Sequence, residues 1–338
     1  MHILALIFSF LLLLSCKTAP KTANLPPFES GVVPLDKGAS AYILADVANA
    51  KPILEGISYI PLNDKNMKQM IDRTRNAAVA VFLPSSEETR RFQLVSWGSY
   101  PSGSSIAFGA NKEWKKQRSA SLNTIYWHSD KAQISVSLTS SRAYVLAAMT
   151  KAPHDPIPSD EGIKLPDGFG EFGKDAVLSC WLSDPGPVLK QKLNEMGVPL
   201  EIPAEQLFIR LLPQDGQKYE ANIKIIFKHF GQARILTNML FIARRNFMAS
   251  SVSQTPSVSQ TEKSANGASD QESAAMLSSL LYANPAVQDG NTLLLKLPPL
   301  GVDEIALLFS MFSLQCVSCL HMNTNVKNAA TASRFFSR

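Results

Sequence analysis

Residues 207–227 read LFIRLLPQDGQKYEANIKIIF, and this stretch decides the fold class. Leu207 to Leu212 is an apolar run closed by Pro213, QDGQKY is a polar turn, and Ala221 to Phe227 alternates apolar with polar residues. Alternation with a period of two puts every second side chain on one face, so the segment reads as an antiparallel hairpin lying on a core. The same signals recur on the N-terminal side. Ala41 to Ala45 reads as a strand, and Ala77 to Leu83 as a second one closed by Pro84. SSEETRR makes a polar turn, and Phe92 to Trp97 is a third strand. Between the first two, Asn63 to Arg75 places Met67, Met70 and Ile71 on one helical face. Leu122 to Leu138 alternates on both sides of Ser129-Asp130, the mark of another hairpin. The expected class is therefore α+β and strand-rich.

Ala143 to Ala147 (AYVLA) echoes Ala41 to Ala45 (AYILA). The order strand, helix, strand ending in Leu-Pro, turn, strand recurs at 41–97 and 143–227, with Val188 to Met196 as the second helix. Two related lobes from an internal duplication are the architecture this implies, with an apolar seam between them. The expected division is lobe one at 39–142, lobe two at 143–248, a disordered loop at 249–273, an apolar C-terminal segment at 274–322 packing on the body, and a polar tail at 323–338. The 249–273 stretch has no aromatic residue and is rich in Ser, Gln, Thr and Ala, too polar to order itself. Ile235 to Ala243 (ILTNMLFIA) is apolar enough for a core helix or strand, and Pro153 to Pro187 reads as a long connection poor in regular structure.

The chain has 338 residues, enough for one large domain or two modest ones at about 100–200 residues each. Charged residues are 18% of the whole, too few for a disordered chain with 45% hydrophobic residues, and the net charge of +5 gives no warrant for a nucleic-acid partner. The 12 apolar or small residues from Ile3 to Leu14 span only about 18 Å as a helix, too short for a hydrocarbon core and suited to an export signal. They end in Leu13-Leu14-Ser15-Cys16, which resembles the lipobox of bacterial lipoproteins. That resemblance implies a signal peptide at 1–15 and a diacylglycerol on the Cys16 thiol, with Cys16 as the mature N-terminus, usually acylated on its amine as well. Residues 16–38, with four prolines, then form a lipidated flexible tether, or an ordered arm packed on the domain through Phe28, Val32, Val33 and Leu35. The expected address is the cell envelope, lipid-anchored, with the outer membrane favoured over the inner one.

Few residues suggest chemistry. Cys316 and Cys319 flank two residues and form a candidate disulfide. Free thiols, a redox pair and a metal site are the alternatives, and no second Cys pair supports a metal. Ser102, with His128 or His154 and a carboxylate, is the only hydrolase constellation worth following, and no nucleophile elbow, phosphate loop or His-Glu-x-x-His is present. Asp155, Asp160, Glu161, Asp167 and Glu171 cluster without the spacing of a calcium loop. Lys112 to Arg118 (KEWKKQR) is a basic run that either meets lipid headgroups, with Trp114 at the interface, or is a solvated turn. Ile305 to Leu314 is strongly apolar and reads as a buried element or one that touches lipid. No catalytic, cofactor or metal residue is assigned. The expected role is non-catalytic: binding or structural, holding a lipid, an apolar ligand or an envelope protein, or touching the bilayer. A membrane-tethered hydrolase or thiol-redox enzyme is the alternative.

Overall fold

The computed structural model describes residues 32–56, 68, 71–82, 92–100, 108–119, 125–131, 133–138, 144–149, 156, 162–166, 168–187, 190, 201–215, 217–253 and 285–305. The chain forms two compact units, 1–174 with 315–338, and 175–314. Both are built on antiparallel strands, so the α+β expectation holds.

The strands of the first unit are β1 (Val32–Val33), β2 (Ala41–Asp46), β3 (Thr74–Val81), β4 (Phe92–Gly98), β5 (Lys115–Arg118), β6 (Ile125–Ser129), β7 (Ile134–Leu138), β8 (Tyr144–Met149) and β9 (Ile163–Lys164). Helix α1 (Val47–Gly56) follows β2 directly and α2 (Phe169–Phe172) is a single turn. The start of α1 is set by Asp46, whose carboxylate accepts the Asn49 backbone N–H at 3.2 Å. The strands run in the order β2-β3-β4-β8-β7-β6-β5. In β3 Thr74, Asn76, Ala78 and Ala80 are buried, alternating with more exposed residues. Gly98 ends β4 because its Cα faces the backbone of Arg73, where an added Cβ would lie 2.1 Å from the carbonyl oxygen. The opening strand β1 pairs with β9, and Val33 and Leu35 are fully buried.

The second unit contains β10 (Leu178–Leu182), β11 (Ala204–Gln214), β12 (Lys218–Phe227), α3 (Phe230–Ser253), β13 (Val287–Asp289) and β14 (Thr292–Lys296). Its strand order is β13-β14-β12-β11-β10. The hairpin that opened the sequence analysis is its centre. Register places Leu207, Ile209 and Leu211 opposite Ile225, Ile223 and Ala221 on one face. That face meets Ala233 and Leu236 of α3 and Leu293 and Leu295 of β14, with Phe227 fully buried among them.

Several expectations are corrected. Pro213 does not close its strand: β11 continues to Gln214, with Pro213 opposite Tyr219. Near the hairpin tip an exposed proline removes no inner ladder bond. The connection 153–187 is less irregular than it reads, because it contains β9, α2 and β10. The turn of the β6–β7 hairpin lies after Ser129, which is the last residue of β6 and pairs with Ile134. The helix before β3 ends at Arg73, so Thr74 and Arg75 are strand.

The boundary at 142/143 fails as well. Strand β8 is paired on both sides inside the first unit, with β4 and with β7, and the division falls at Lys174/Asp175. The echoed strands β2 and β8 therefore belong to one sheet, and their likeness does not mark two lobes. Helix α3 runs to Ser253 and takes in the first five residues assigned to the 249–273 loop. The remainder of that loop, the helix at 188–196 apart from Lys190, and residues 306–338 lie outside the described residues.

Candidate functional site

Two places in the fold carry chemistry that a packed core does not explain. The first is in the β5–β6–β7 corner. Cross-strand pairing makes a row across the first unit: Tyr42, Ala80, Gln93, Ala148, Ser135, His128 and Lys115. The adjacent row on the opposite face holds Leu94, Ala147, Val136 and Trp127, which join Phe108 and Trp114 in an aromatic-aliphatic core. Along the polar row, Gln93 clamps Asp36, accepting its backbone N–H at 2.8 Å and donating to its carboxylate at 3.0 Å. Tyr42 donates to the Asp36 carbonyl at 3.1 Å and accepts the Ala39 N–H.

His128 is fully buried. Its Nδ1 lies 3.0 Å from Ser135 Oγ, and its Nε2 lies 3.2 Å from Asp130 Oδ1, close but off the line of a good hydrogen bond. Asp130 also pairs with Lys115. Burial lowers the His128 pKa from its usual 6.5; Asp130 opposes the shift and Lys115 adds to it. The imidazole is thus kept neutral at pH 7. Serine, histidine and aspartate are the residue types of a hydrolytic triad, but Ser135 and His128 are both at 0% exposure. A nucleophile must face its substrate, so this arrangement works as a cross-strand fastener. The serine beside His128 among the described residues is Ser135. Ser102 and His154 lie outside the described residues.

The second place is α3. Its inner side chains Ala233, Leu236 and Leu240 follow helical spacing and pack on the sheet. Its outer side is also apolar: Ile235 is 62% exposed, Met239 42%, Phe241 67% and Ile242 57%, with Phe230 at its start 55% exposed. The sequence reading of 235–243 as a core element is therefore half wrong. Apolar density is high on both sides of the helix, and only one side has a sheet to meet. Ile235, Met239 and Ile242 form one column at i, i+4, i+7. Arg234, Asn238, Phe241 and Arg245 form the neighbouring column, with both arginines exposed. Soluble monomers rarely leave such a stripe uncovered.

The remaining candidates are placed or set aside as follows. Trp114 is buried edge-on to Phe108 at 4.7 Å, so it is not an interfacial residue, and Lys115 to Arg118 form strand β5 and not a turn. Lysines on a terminal strand discourage pairing with another chain. Of the acidic cluster Glu171 is described, exposed on α2, while Asp155, Asp160, Glu161 and Asp167 are outside the described residues. Cys16, Cys316 and Cys319 are also outside them. Cys180, on β10, is a free thiol among the described residues, and burial pushes its pKa up to about 12, so it stays protonated at pH 7. Among the described residues no three His, Cys, Asp or Glu side chains converge on a metal position. No described helix is long and apolar enough to cross a membrane.

The chain is similar to an outer membrane-associated lipoprotein, which agrees with the lipobox resemblance at Cys16. Residues 31–153 match the family model of the outer membrane-associated lipoprotein TP0453, a span that includes the strands from β1 to β8. Three crystal forms of TP0453 share the fold. Form III has a TM-score of 0.52 at 15% identity, covering 86% of this chain and 99% of that one. Form I gives 0.50 at 15% identity with the same coverage, and form IV gives 0.51 at 16%, covering 84% and 98%. No curated protein sequence matches the chain.

Proposed function

We infer that this protein is a non-catalytic envelope lipoprotein, held by acyl chains on Cys16, whose second unit rests on the bilayer through the outer side of α3. The outer membrane is its address, in keeping with the outer membrane-associated lipoprotein whose family model it matches. One observation carries the reading: a column of Ile235, Met239 and Ile242 faces outward on a helix whose opposite side is already packed on a sheet. A helix with this construction lies in the interfacial plane with its apolar side in the acyl boundary. Two attachments, acyl chains and helix, would raise the effective concentration of the protein at the membrane.

The test uses the mature chain with Cys16→Ser, which differs from the native protein in lacking acyl chains. It is expected to float with phospholipid vesicles, and Ile235→Ser/Met239→Ser/Ile242→Ser is expected to weaken that binding at least tenfold while leaving the melting curve in place. Equal flotation by the two chains would overturn the role of α3. The anchor has its own check: the mass of the mature N-terminus should begin at Cys16 with its acyl chains.

A further inference from the structure

We propose that the outer side of α3 selects anionic lipid headgroups, through Arg234 and Arg245 set beside its apolar column. This rests on the bilayer-facing reading of α3 and adds what that surface prefers. From Lys228 to Ser253 the chain has Lys228, Arg234, Arg244 and Arg245 and not one Asp or Glu. A solvated helix face usually mixes both signs, which supports the helix through opposite-charge pairs at i, i+4. Here that support is absent. Among the described residues none of these arginines has an ion-pair partner, and Arg234 and Arg245 are exposed.

The placement matters more than the count. Arg234 and Arg245 are eleven residues apart on one column, so about 16 Å separates them along the axis. Between and beside them stand Ile235, Met239, Phe241 and Ile242, the most exposed apolar group of the helix. When those side chains enter the acyl boundary, the guanidinium groups lie at headgroup depth, reached along their own aliphatic stems. A planar guanidinium there meets phosphate oxygens two at a time. Zwitterionic headgroups carry phosphate too, but cancel its field with their own ammonium. An anionic leaflet does not, and draws each basic residue by about fivefold in binding. The occupant of this surface is therefore an anionic leaflet, chosen by charge complementarity.

The experiment measures partitioning of the mature chain carrying Cys16→Ser into vesicles of phosphatidylcholine alone and with 30% phosphatidylglycerol. Binding should be much tighter to the anionic vesicles and should fall as salt rises. Arg234→Gln/Arg245→Gln should lose about thirtyfold on anionic vesicles, little on neutral ones, and Arg234→Lys/Arg245→Lys should restore most of it. Inorganic phosphate at millimolar concentration should not compete, because the site is a surface that reads a leaflet. Equal binding to both vesicle types, or an indifferent glutamine variant, overturns headgroup selection while leaving α3 as a membrane-facing helix. Absence of binding to either vesicle overturns the membrane-facing reading itself.

Discussion

The two units of this chain put their exceptions on opposite sides. In the first unit the exceptions are polar residues inside: Thr74, Asn76, Gln93, Ser96, Ser119, His128, Ser129, Ser135 and Ser137 are all buried. In the second, where Ser179 is the one buried polar residue among those described, they are chiefly apolar residues outside: every large exposed hydrophobic among the described residues, from Phe230 to Leu294, belongs to it. Several of the buried polar groups of the first unit find one another. Tyr100 donates to Ser96 at 2.7 Å and lies 3.1 Å from Thr74 Oγ1, and Ser137 donates to the Ile125 carbonyl. Such networks fix one arrangement of strands. The exposed apolar groups of the second unit have no comparable internal solution. The contrast teaches that, among the described residues, the first unit leaves no large hydrophobic exposed while the second exposes several on α3, β13 and β14.

That comparison would break if the second unit were merely loosely packed, with the bare side of α3 as a symptom. Phe227→Ala decides this. At a tight site the substitution costs about 3–5 kcal/mol, the largest effect expected here, and urea denaturation followed by circular dichroism would measure it. A loss below about 1 kcal/mol would mean a soft core and would remove the special status of the outer face.

Acid should sharpen the contrast from the other side. Because the folded His128 has its pKa lowered from 6.5, the unfolded chain binds the extra proton first. The stability that neutral His128 contributes is present above about pH 6.5 and is lost as pH falls towards its folded value. Denaturation at pH 7.5 and 5.5, read by tryptophan fluorescence, reports chiefly the first unit, since Trp97, Trp114 and Trp127 lie there and Trp181 alone does not. His128→Gln should flatten the difference between the two pH values. An unchanged difference would show that His128 is not the titrating group. The smallest effect belongs to the exposed pair beside it. Lys115→Gln should leave the urea midpoint almost unchanged, because solvent screens the Lys115–Asp130 pair.

Much of the strand order was legible. Apolar runs and period-two alternation located β2, β3, β4, β6, β7, β8, β11 and β12, because each has at least one face that must be buried. Strand β10 was not, since LSCWL is short and stands among Pro and Gly. The resemblance between β2 and β8 misled for a physical reason: strands at similar depth in one sheet want similar residues. The His128 fastener had a readable signal. In a hairpin that pairs Ser129 with Ile134, the preceding residue must face Ser135. The bare side of α3 had none, because hydrophobicity records what a residue prefers and not whether the fold supplies it.

The short ladder at the start of the described chain has a mechanical consequence. The described chain enters the first unit at β1, two residues paired with β9, and then passes Leu35 and the Asp36–Gln93 clamp. A pull on the chain ahead of Val32 is therefore taken first by this stitch, in a unit whose interior is laced with hydrogen bonds.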